Sequence, residues 1–406
     1  MFELRHLSAS RARPTARELV GRGLRQEMLM RPGLRESLAA AVADDPSFGY
    51  AHAGLALLDL LLGGPVEPHL AAARSHAGTA SEPEQATIAL VSRCVRVPAA
   101  QRLVEARAHL ARYPSDLLAI ILGLASVDRG ETGPRPAIDL LDLVLPAHQA
   151  HWWVPGVLAT WLAEAGQVRP AWRLAERALA AEPGAWHAAH AFAHVAYATD
   201  EHRQGADWLD RWIGEHRPEG YALAHVTWHV AVGRLATGDG TAASRALLGV
   251  LTPASPEFGV DAVELATASW LCLGAGDATL AHRVRAAVRR DPARLVAVGS
   301  PLSATAAGLL LAAAGQVAEL DELTRLTGQR REPVYRQVVL PMLAVCAELA
   351  VGDRDAVSHA VDLVEPDALA RLGGSGAERD AFEHCLLLAL RGAVTRGLSP
   401  ADGGTG

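Results

Sequence analysis

The chain has 406 residues, 38 of them basic and 45 acidic, and its formal net charge is −7. The charges are dispersed, without a run of like sign, and this argues against nucleic acid or an anionic membrane surface as a partner. All of the basic residues are arginine, so a catalytic Schiff-base lysine and a phosphate-loop lysine are both excluded.

Residues 1–14 are polar and arginine-rich, and they lack the apolar stretch of a secretory signal. We expect them to form an N-terminal arm, followed by a single domain over residues 15–395 and a disordered tail over residues 396–406. The four cysteines stand singly along the chain, without a disulfide framework or a zinc-binding pair. This usage fits a protein of the reducing cytoplasm.

From residue 15 onward the chain is rich in Ala, Leu and Arg, and no segment alternates as a half-buried strand does. Short breaks recur every 32 to 39 residues, and each interval holds two helices of about a dozen residues. This period predicts an all-α fold, a right-handed α-solenoid of tetratricopeptide-like helical hairpins. The breaks fall at Gly63–Gly64, Val97–Pro98, Gly130, Gly166, Thr199–Asp200, Gly238, Gly276, Gly315 and Gly352.

One repeat, residues 161–183, shows the tetratricopeptide spacing well. Gly166 allows a tight turn between two helices, and Pro183 ends the second helix. Ala171 and Ala178 are small where two helices cross closely.

Two helices of the predicted array carry paired histidines. "AWHAAHAFAHVAYAT" holds His190 and His194, and "YALAHVTWHV" holds His225 and His229. Residues four apart project from one face of a helix, so each pair should stand together. Because the first helices of successive hairpins lie side by side in a solenoid, we expect all four imidazoles to meet in one pocket.

Aromatic and acidic residues flank these histidines. We expect Trp186, Tyr197 and Trp228 to line the pocket. Asp261 and Glu264 are spaced three apart on a later helix, either as solvated charges or as carboxylates that orient the imidazoles.

Residues 295–318 are uncharged and long enough to span a bilayer, but Gly, Ser, Pro and Thr interrupt them. Ser300 and Pro301 instead predict the N-cap and first turn of a buried helix. We therefore expect no membrane association.

Three interpretations of the histidines remain open. They could be buried packing residues with satisfied hydrogen bonds. A His-x-x-x-His pair could chelate zinc or another divalent ion, although no HExxH glutamate accompanies it. In a ligand or catalytic pocket, one imidazole could act as a general base and another as its conjugate acid.

Three segments match motifs of a known family. Two are the histidine segments "AWHAAHAFAHV" and "AHVTWHVAVGRLATGD", and the third is "GGSGAERDAF" at residues 373–382. All three resemble the tetratricopeptide repeat protein 38 family, and the chain looks like a divergent bacterial member. The resemblance covers nearly the whole chain and implies a tetratricopeptide-like fold, but no activity. It carries over the histidine pairs, with Trp228, and the motif residues Ser375, Arg379 and Asp380.

The chain departs from the family pattern near the histidines. Tyr197 and Ala236 stand where the family usually has glutamates, and Cys272 replaces an arginine. Asp261 and Glu264 are retained. The resemblance therefore implies a member that keeps the histidines and has lost much of their acidic surroundings.

We expect a protein that binds a small molecule in a central histidine-lined pocket. If it is an enzyme, we expect isomerase, cyclase, lyase or hydrolase chemistry, because the sequence supplies no hydride or electron carrier, and it identifies no cofactor. One alternative is an interaction scaffold whose concave groove holds a peptide or helix of a partner protein. A second is an enzyme that binds a metal or haem through the paired histidines.

Overall fold

The structure is a computed structural model, and it describes residues 2–127, 133–250, 262–274, 278–296, 299–351 and 368–390. These residues form 21 α-helices, and none of them lies in a β-strand. The prediction of an all-α fold is therefore confirmed.

The helices of the first half begin after a short 3₁₀ segment, Phe2–Leu7. They are α1 (Pro14–Met28), α2 (Leu34–Asp44), α3 (Gly49–Leu62), α4 (Val66–His76), α5 (Glu82–Cys94), α6 (Ala99–Leu110), α7 (Leu117–Ala125), α8 (Arg135–His148), α9 (Trp153–Glu164), α10 (Val168–Ala181) and α11 (Trp186–Ala198).

The second half contains the remaining ten helices and a π-helical turn, Tyr335–Val339, ahead of α19. They are α12 (His202–His216), α13 (Gly220–Ala236), α14 (Gly240–Val250), α15 (Ala262–Gly274), α16 (Thr279–Arg290), α17 (Pro301–Ala314), α18 (Val317–Thr327), α19 (Leu340–Val351), α20 (Ala368–Arg371) and α21 (Gly376–Leu390).

The chain divides into two compact units, and the boundary falls within α11. The described residues up to Val195 belong to the first unit, and those from Ala196 onward belong to the second unit. Each unit has its own hydrophobic core. The first core runs along the chain from Leu7 to Val195, and the second runs from Trp228 to Cys385.

In the first unit, helices pack mainly on their neighbours in the chain, as in the pairs α1 with α2, α3 with α4 and α9 with α10. Their buried faces are rich in Leu and Ala, and burial of such apolar surface supplies most of the driving force for folding. Side chains also define helix ends. The Asp116 carboxylate accepts a hydrogen bond from the Leu118 backbone N–H at the start of α7.

In the second unit, α15 lies against several helices. It contacts α16, the next helix along, and it also contacts α13, α17 and α21. The contact with α21 joins segments more than one hundred residues apart in the chain. Through it, Cys385 of α21 reaches the backbone of Thr267, with the thiol Sγ 3.5 Å from the carbonyl oxygen.

The predicted helix breaks within the described residues are confirmed. Four glycines have positive φ, between 71° and 80°, within two residues of the ends of helices α3, α9, α13 and α17: Gly63, Gly166, Gly238 and Gly315. Asp200 follows α11 with φ of 58°. These left-handed residues end a helix and reverse the chain. Gly130, Gly276 and Gly352 lie outside the described residues.

The uncharged stretch at residues 295–318 contains the predicted buried helix. Its helix α17 begins at Pro301, and the hydroxyl of Ser300 accepts a hydrogen bond from the Ser303 backbone N–H at 3.2 Å. Among the helices described, none is both long enough and apolar enough to cross a membrane.

Candidate functional site

The second histidine pair lies on the buried face of α13. His225 and His229 are each 6% exposed. Their Nε2 atoms are 3.3 Å apart, and their rings meet edge to face with centroids 4.9 Å apart. The spacing of four residues predicted that these rings project together, and the contact confirms it.

A buried carboxylate orients this pair. Glu264 of α15 is 1% exposed, and its Oε1 atom forms a short hydrogen bond with Nδ1 of His225. When this carboxylate is ionised it only accepts hydrogen bonds, and His225 then carries its proton on Nδ1. The lone pair on Nε2 of the neutral ring then faces His229. Glu264 is therefore buried rather than solvated and contacts His225, and Asp261 lies outside the described residues.

Trp228 stands between the two histidines in the chain and is almost fully buried. Its indole N–H donates to Oγ1 of Thr267 on α15 at 2.9 Å. Its ring contacts His229 edge to face and stacks at longer range on His225. Trp228 thus holds α13 against α15 and fixes the setting of both imidazoles.

The first histidine pair, in the first unit, shows the same local geometry. His190 and His194 of α11 are both buried, and their Nε2 atoms are 2.8 Å apart. The Trp186 ring lies 4.8 Å from the His190 ring and 5.0 Å from the His187 ring, centroid to centroid. Two imidazoles one helical turn apart can share a proton or chelate a cation. The convergence of both pairs in one pocket stays a prediction.

The second unit contains a cleft of about 280 Å³. Its polar residues are Tyr197, Asp380 and His384, and the last two are exposed on α21. The cleft is lined by Tyr197, Val232, Leu235, Ala236, Leu271, Gly274, Asp380, Ala381 and His384.

Among the described residues that were expected to line the pocket, Tyr197 lines this cleft. Its hydroxyl donates to Oδ2 of Asp380 at 3.1 Å. Burial, followed by the neighbouring Asp380 carboxylate, raises the pKa of Tyr197 to about 12. The phenol therefore stays protonated near neutral pH and remains a hydrogen-bond donor.

The cleft continues the helix faces that carry the buried histidines and glutamate. On α13, His229 is followed at helical spacing by Val232 and Ala236, both of which line the cleft. On α15, Leu271 follows Glu264 by two helical turns. Helices α13 and α15 thus carry the hydrogen-bonded residues Glu264, His225 and His229 and also form part of the cleft wall.

The C-terminal motif residues begin α21 and position it. The Ser375 backbone N–H donates to the Glu378 carboxylate at 2.6 Å, and the Ser375 hydroxyl accepts from the Glu378 N–H at 3.2 Å. This reciprocal cap fixes the start of the helix. Arg379 donates to the Gly374 carbonyl at 2.6 Å. Asp380 then faces Tyr197. His384 lies one turn after Asp380 and was not predicted as a site residue, although the four-residue spacing of Asp380 and His384 is that of the histidine pairs.

No known protein-family model matches the chain, and no curated protein is significantly similar to it. The resemblance to the tetratricopeptide repeat protein 38 family therefore stays a prediction.

Proposed function

We propose that the second unit binds a small organic molecule and promotes a non-redox acid–base reaction on it, such as an isomerisation, cyclisation, elimination or hydrolysis. The observation that carries the proposal is the buried chain of Glu264, His225 and His229. A carboxylate that fixes the tautomer of one imidazole, which in turn faces a second imidazole, is an arrangement typical of general acid–base catalysis.

The hydrogen-bonded residues Glu264, His225 and His229 are arranged to take up a proton. The two facing Nε2 atoms can share one added proton, and the Glu264 carboxylate stabilises the imidazolium that results. The proposal requires a bound molecule to reach this pair along the helix face that Val232 and Ala236 continue to the cleft; the pair would then accept a proton and return it at another atom. General acid–base catalysis of this kind contributes rate factors of about 10² to 10⁴.

The cleft determines the class of ligand. Its volume, about 280 Å³, lies at the lower end for ligand pockets and suits a small metabolite. Val232, Leu235 and Leu271 supply apolar wall, whereas the Asp380 carboxylate offers acceptor oxygens and negative charge. We infer a ligand that pairs an apolar body with a cationic or hydrogen-bond-donating group.

We also propose that the helices form a tetratricopeptide-like solenoid and that the protein is cytoplasmic. The near-regular helix breaks and the packing of helices on their chain neighbours support a tetratricopeptide-like solenoid. All four cysteines are buried and none forms a disulfide, which supports a cytoplasmic protein.

Ligand binding can be tested by thermal shift with a panel of small amines, amides and amino acids. We expect at least one to raise the unfolding temperature of the wild type. Ala236→Trp should abolish the shift, because Ala236 is exposed at the cleft and the indole fills it. The matched control is Ala293→Trp, at an exposed alanine of the same unit outside the cleft. Equal shifts in both variants would contradict the cleft as the site.

Catalysis can be tested on the compounds that bind. Glu264→Gln should keep binding but lower kcat by about 10² to 10⁴, because the amide no longer stabilises an imidazolium. KM should change little, since Glu264 does not line the cleft. Wild-type binding without turnover, or unchanged kcat in the variant, would contradict the acid–base role. A protein that instead binds partner peptides and none of the panel would be an interaction scaffold.

A further inference from the structure

A second cluster of polar side chains lies buried in the first unit. His6 belongs to the 3₁₀ segment Phe2–Leu7, His109 lies at the end of α6, and Asp116 precedes α7. Asp116 is fully buried, and the two histidines are 6% and 7% exposed. Three separate segments of the chain thus deliver metal-binding side chains to one interior point.

The three ligand atoms converge. One ring nitrogen of each histidine and a carboxylate oxygen of Asp116 lie within 4.8 Å of one another. Nε2 of His109 is 2.8 Å from Oδ2 of Asp116, and Nε2 of His6 is 3.5 Å from the same oxygen. In a tetrahedral zinc site with bonds of about 2.0 Å, ligand atoms stand about 3.3 Å apart. The observed distances fall on either side of this value.

Hydrogen bonds to one oxygen of the Asp116 carboxylate fix its orientation. Its other oxygen, Oδ1, accepts hydrogen bonds from the Tyr50 hydroxyl at 3.1 Å and from the Leu118 backbone N–H at 3.2 Å. These bonds leave Oδ2 directed at the two imidazoles. Outer partners that orient a ligating carboxylate in this way are a regular feature of metal sites.

A hydroxyl lies beside two of the three ligand atoms. Oγ1 of Thr87, on α5, is 2.9 Å from Nε2 of His6 and 2.7 Å from Oδ2 of Asp116. Glu84 is buried one turn before Thr87 on the same helix face, where it accepts hydrogen bonds from Ser10 and Ser81. Two buried carboxylates therefore lie in this region, and a bound divalent cation would balance their charge.

We propose that His6, His109 and Asp116 bind a structural divalent cation, with zinc as the preferred ion, and that the Thr87 hydroxyl completes a tetrahedral site. Two imidazoles and one carboxylate are ligands that zinc favours, and a buried site with every corner filled by protein is structural. The ion would tie the N-terminal segment to the α6–α7 hairpin. The site is independent of the cleft in the second unit.

Cobalt is a suitable probe, because tetrahedral Co²⁺ has strong visible absorption. Untagged full-length protein, freed of metal with EDTA, is titrated with Co²⁺ and then with Zn²⁺. We expect one tetrahedral Co²⁺ per chain, displaced by zinc. His109→Gln should lose this band, although its amide can still donate to Asp116 and preserve the fold. The matched control, His282→Gln, removes an exposed histidine of α16 and should keep the band.

Zinc should also raise the unfolding temperature of the wild type and of His282→Gln, but not that of His109→Gln. If His109→Gln does not fold, His6→Gln replaces it, because His6 lies in the N-terminal 3₁₀ segment outside the α-helices. An unchanged cobalt band in the folded variant would overturn the proposal. So would the absence of a tetrahedral band in the wild type, or a band lost in His194→Gln instead.

Discussion

In the second unit, the buried hydrogen bond from Trp228 to Thr267 joins helices α13 and α15. Its contribution to stability can be measured by removing the acceptor. Thr267→Val removes the acceptor and keeps the shape, so the buried indole N–H is left without its partner. We expect a loss of about 1–3 kcal/mol in the free energy of unfolding, measured by urea denaturation.

Thr305→Val is the control for this change. Thr305 is also fully buried, and its hydroxyl donates only to the Pro301 carbonyl one turn earlier in the same helix, at 2.9 Å. We expect a smaller loss of stability from it. Equal losses would mean that the bond from Trp228 to Thr267 does not stabilise the contact between α13 and α15.

His148 gives the first unit a pH-dependent stability. Its Nε2–H donates to the Pro114 carbonyl at 2.7 Å, and burial lowers its pKa to about 4. Between pH 6.5 and 4 the unfolded chain binds a proton at this residue and the folded chain does not, so stability falls as the pH is lowered. The expected loss is about 3 kcal/mol over this interval.

The measurement is urea denaturation of the wild type and of His148→Gln at several pH values between 7 and 4. The variant should lose less stability across this range, because glutamine does not titrate. His282→Gln, at an exposed histidine, should follow the wild type. A variant curve parallel to the wild-type curve would show that another group causes the dependence.

For contacts between single residues, the sequence predicts those within one helix and misses those between helices. Helical spacing alone predicted that His190 meets His194 and that His225 meets His229, and both contacts are present. The hydrogen bond between Glu264 and His225 joins residues 39 apart. Spacing fixes positions only within one helix, so the choice between a solvated and an orienting Glu264 required the packing of α15 on α13.

The packing of helices depends on where glycine permits close approach. A Cβ atom on Gly233 of α13 would lie 2.9 Å from the His202 carbonyl oxygen and 3.1 Å from Cβ of Ala206. Gly233→Ala should therefore lower the unfolding temperature, because α13 must move away from α12. Alanine normally stabilises a helix interior by about 0.5–1 kcal/mol relative to glycine.

Gly214→Ala is the matched change on α12, where, among the described residues, no atom beyond the neighbouring residues and the backbone of α12 itself lies within 4 Å of the added Cβ. It should raise the unfolding temperature, since only the helix propensity changes. Opposite signs for the two substitutions are the expected result in thermal denaturation. Stabilisation by both would mean that α12 and α13 tolerate a wider separation.

Helix ends were predictable because glycines and caps act locally. Gly63, Gly166, Gly238 and Gly315 mark turns in the sequence and in the structure. The packing of α21 on α15 had no such signal. It depends on complementary buried surfaces on helices far apart in the chain, and no spacing rule within one helix describes such a surface.

For the whole molecule, two separate hydrophobic cores predict two regions of cooperative unfolding. Leu90 lies in the first core and Leu309 in the second, and both are fully buried. Truncation of either leucine to alanine should cost about 2–5 kcal/mol. Hydrogen exchange measured by mass spectrometry should rise first in the unit that carries the substitution.

Each variant is the control for the other. Leu90→Ala should leave the protection of α17 and α19 near the wild-type level, and Leu309→Ala should do the same for α3 and α5. An equal rise of exchange in both units for either variant would show that the two cores unfold as one.

The contact between α15 and α21 has a consequence for the order of events during protein synthesis. The hydroxyl of Tyr197 reaches its acceptor, Asp380, only 183 residues later in the chain. The cleft also needs Ala381 and His384 from the same final helix. A ribosome must therefore translate through α21 before the cleft can form. A nascent chain halted in α19 would already contain Glu264, His225 and His229, yet it would lack Asp380, Ala381 and His384 of the cleft wall.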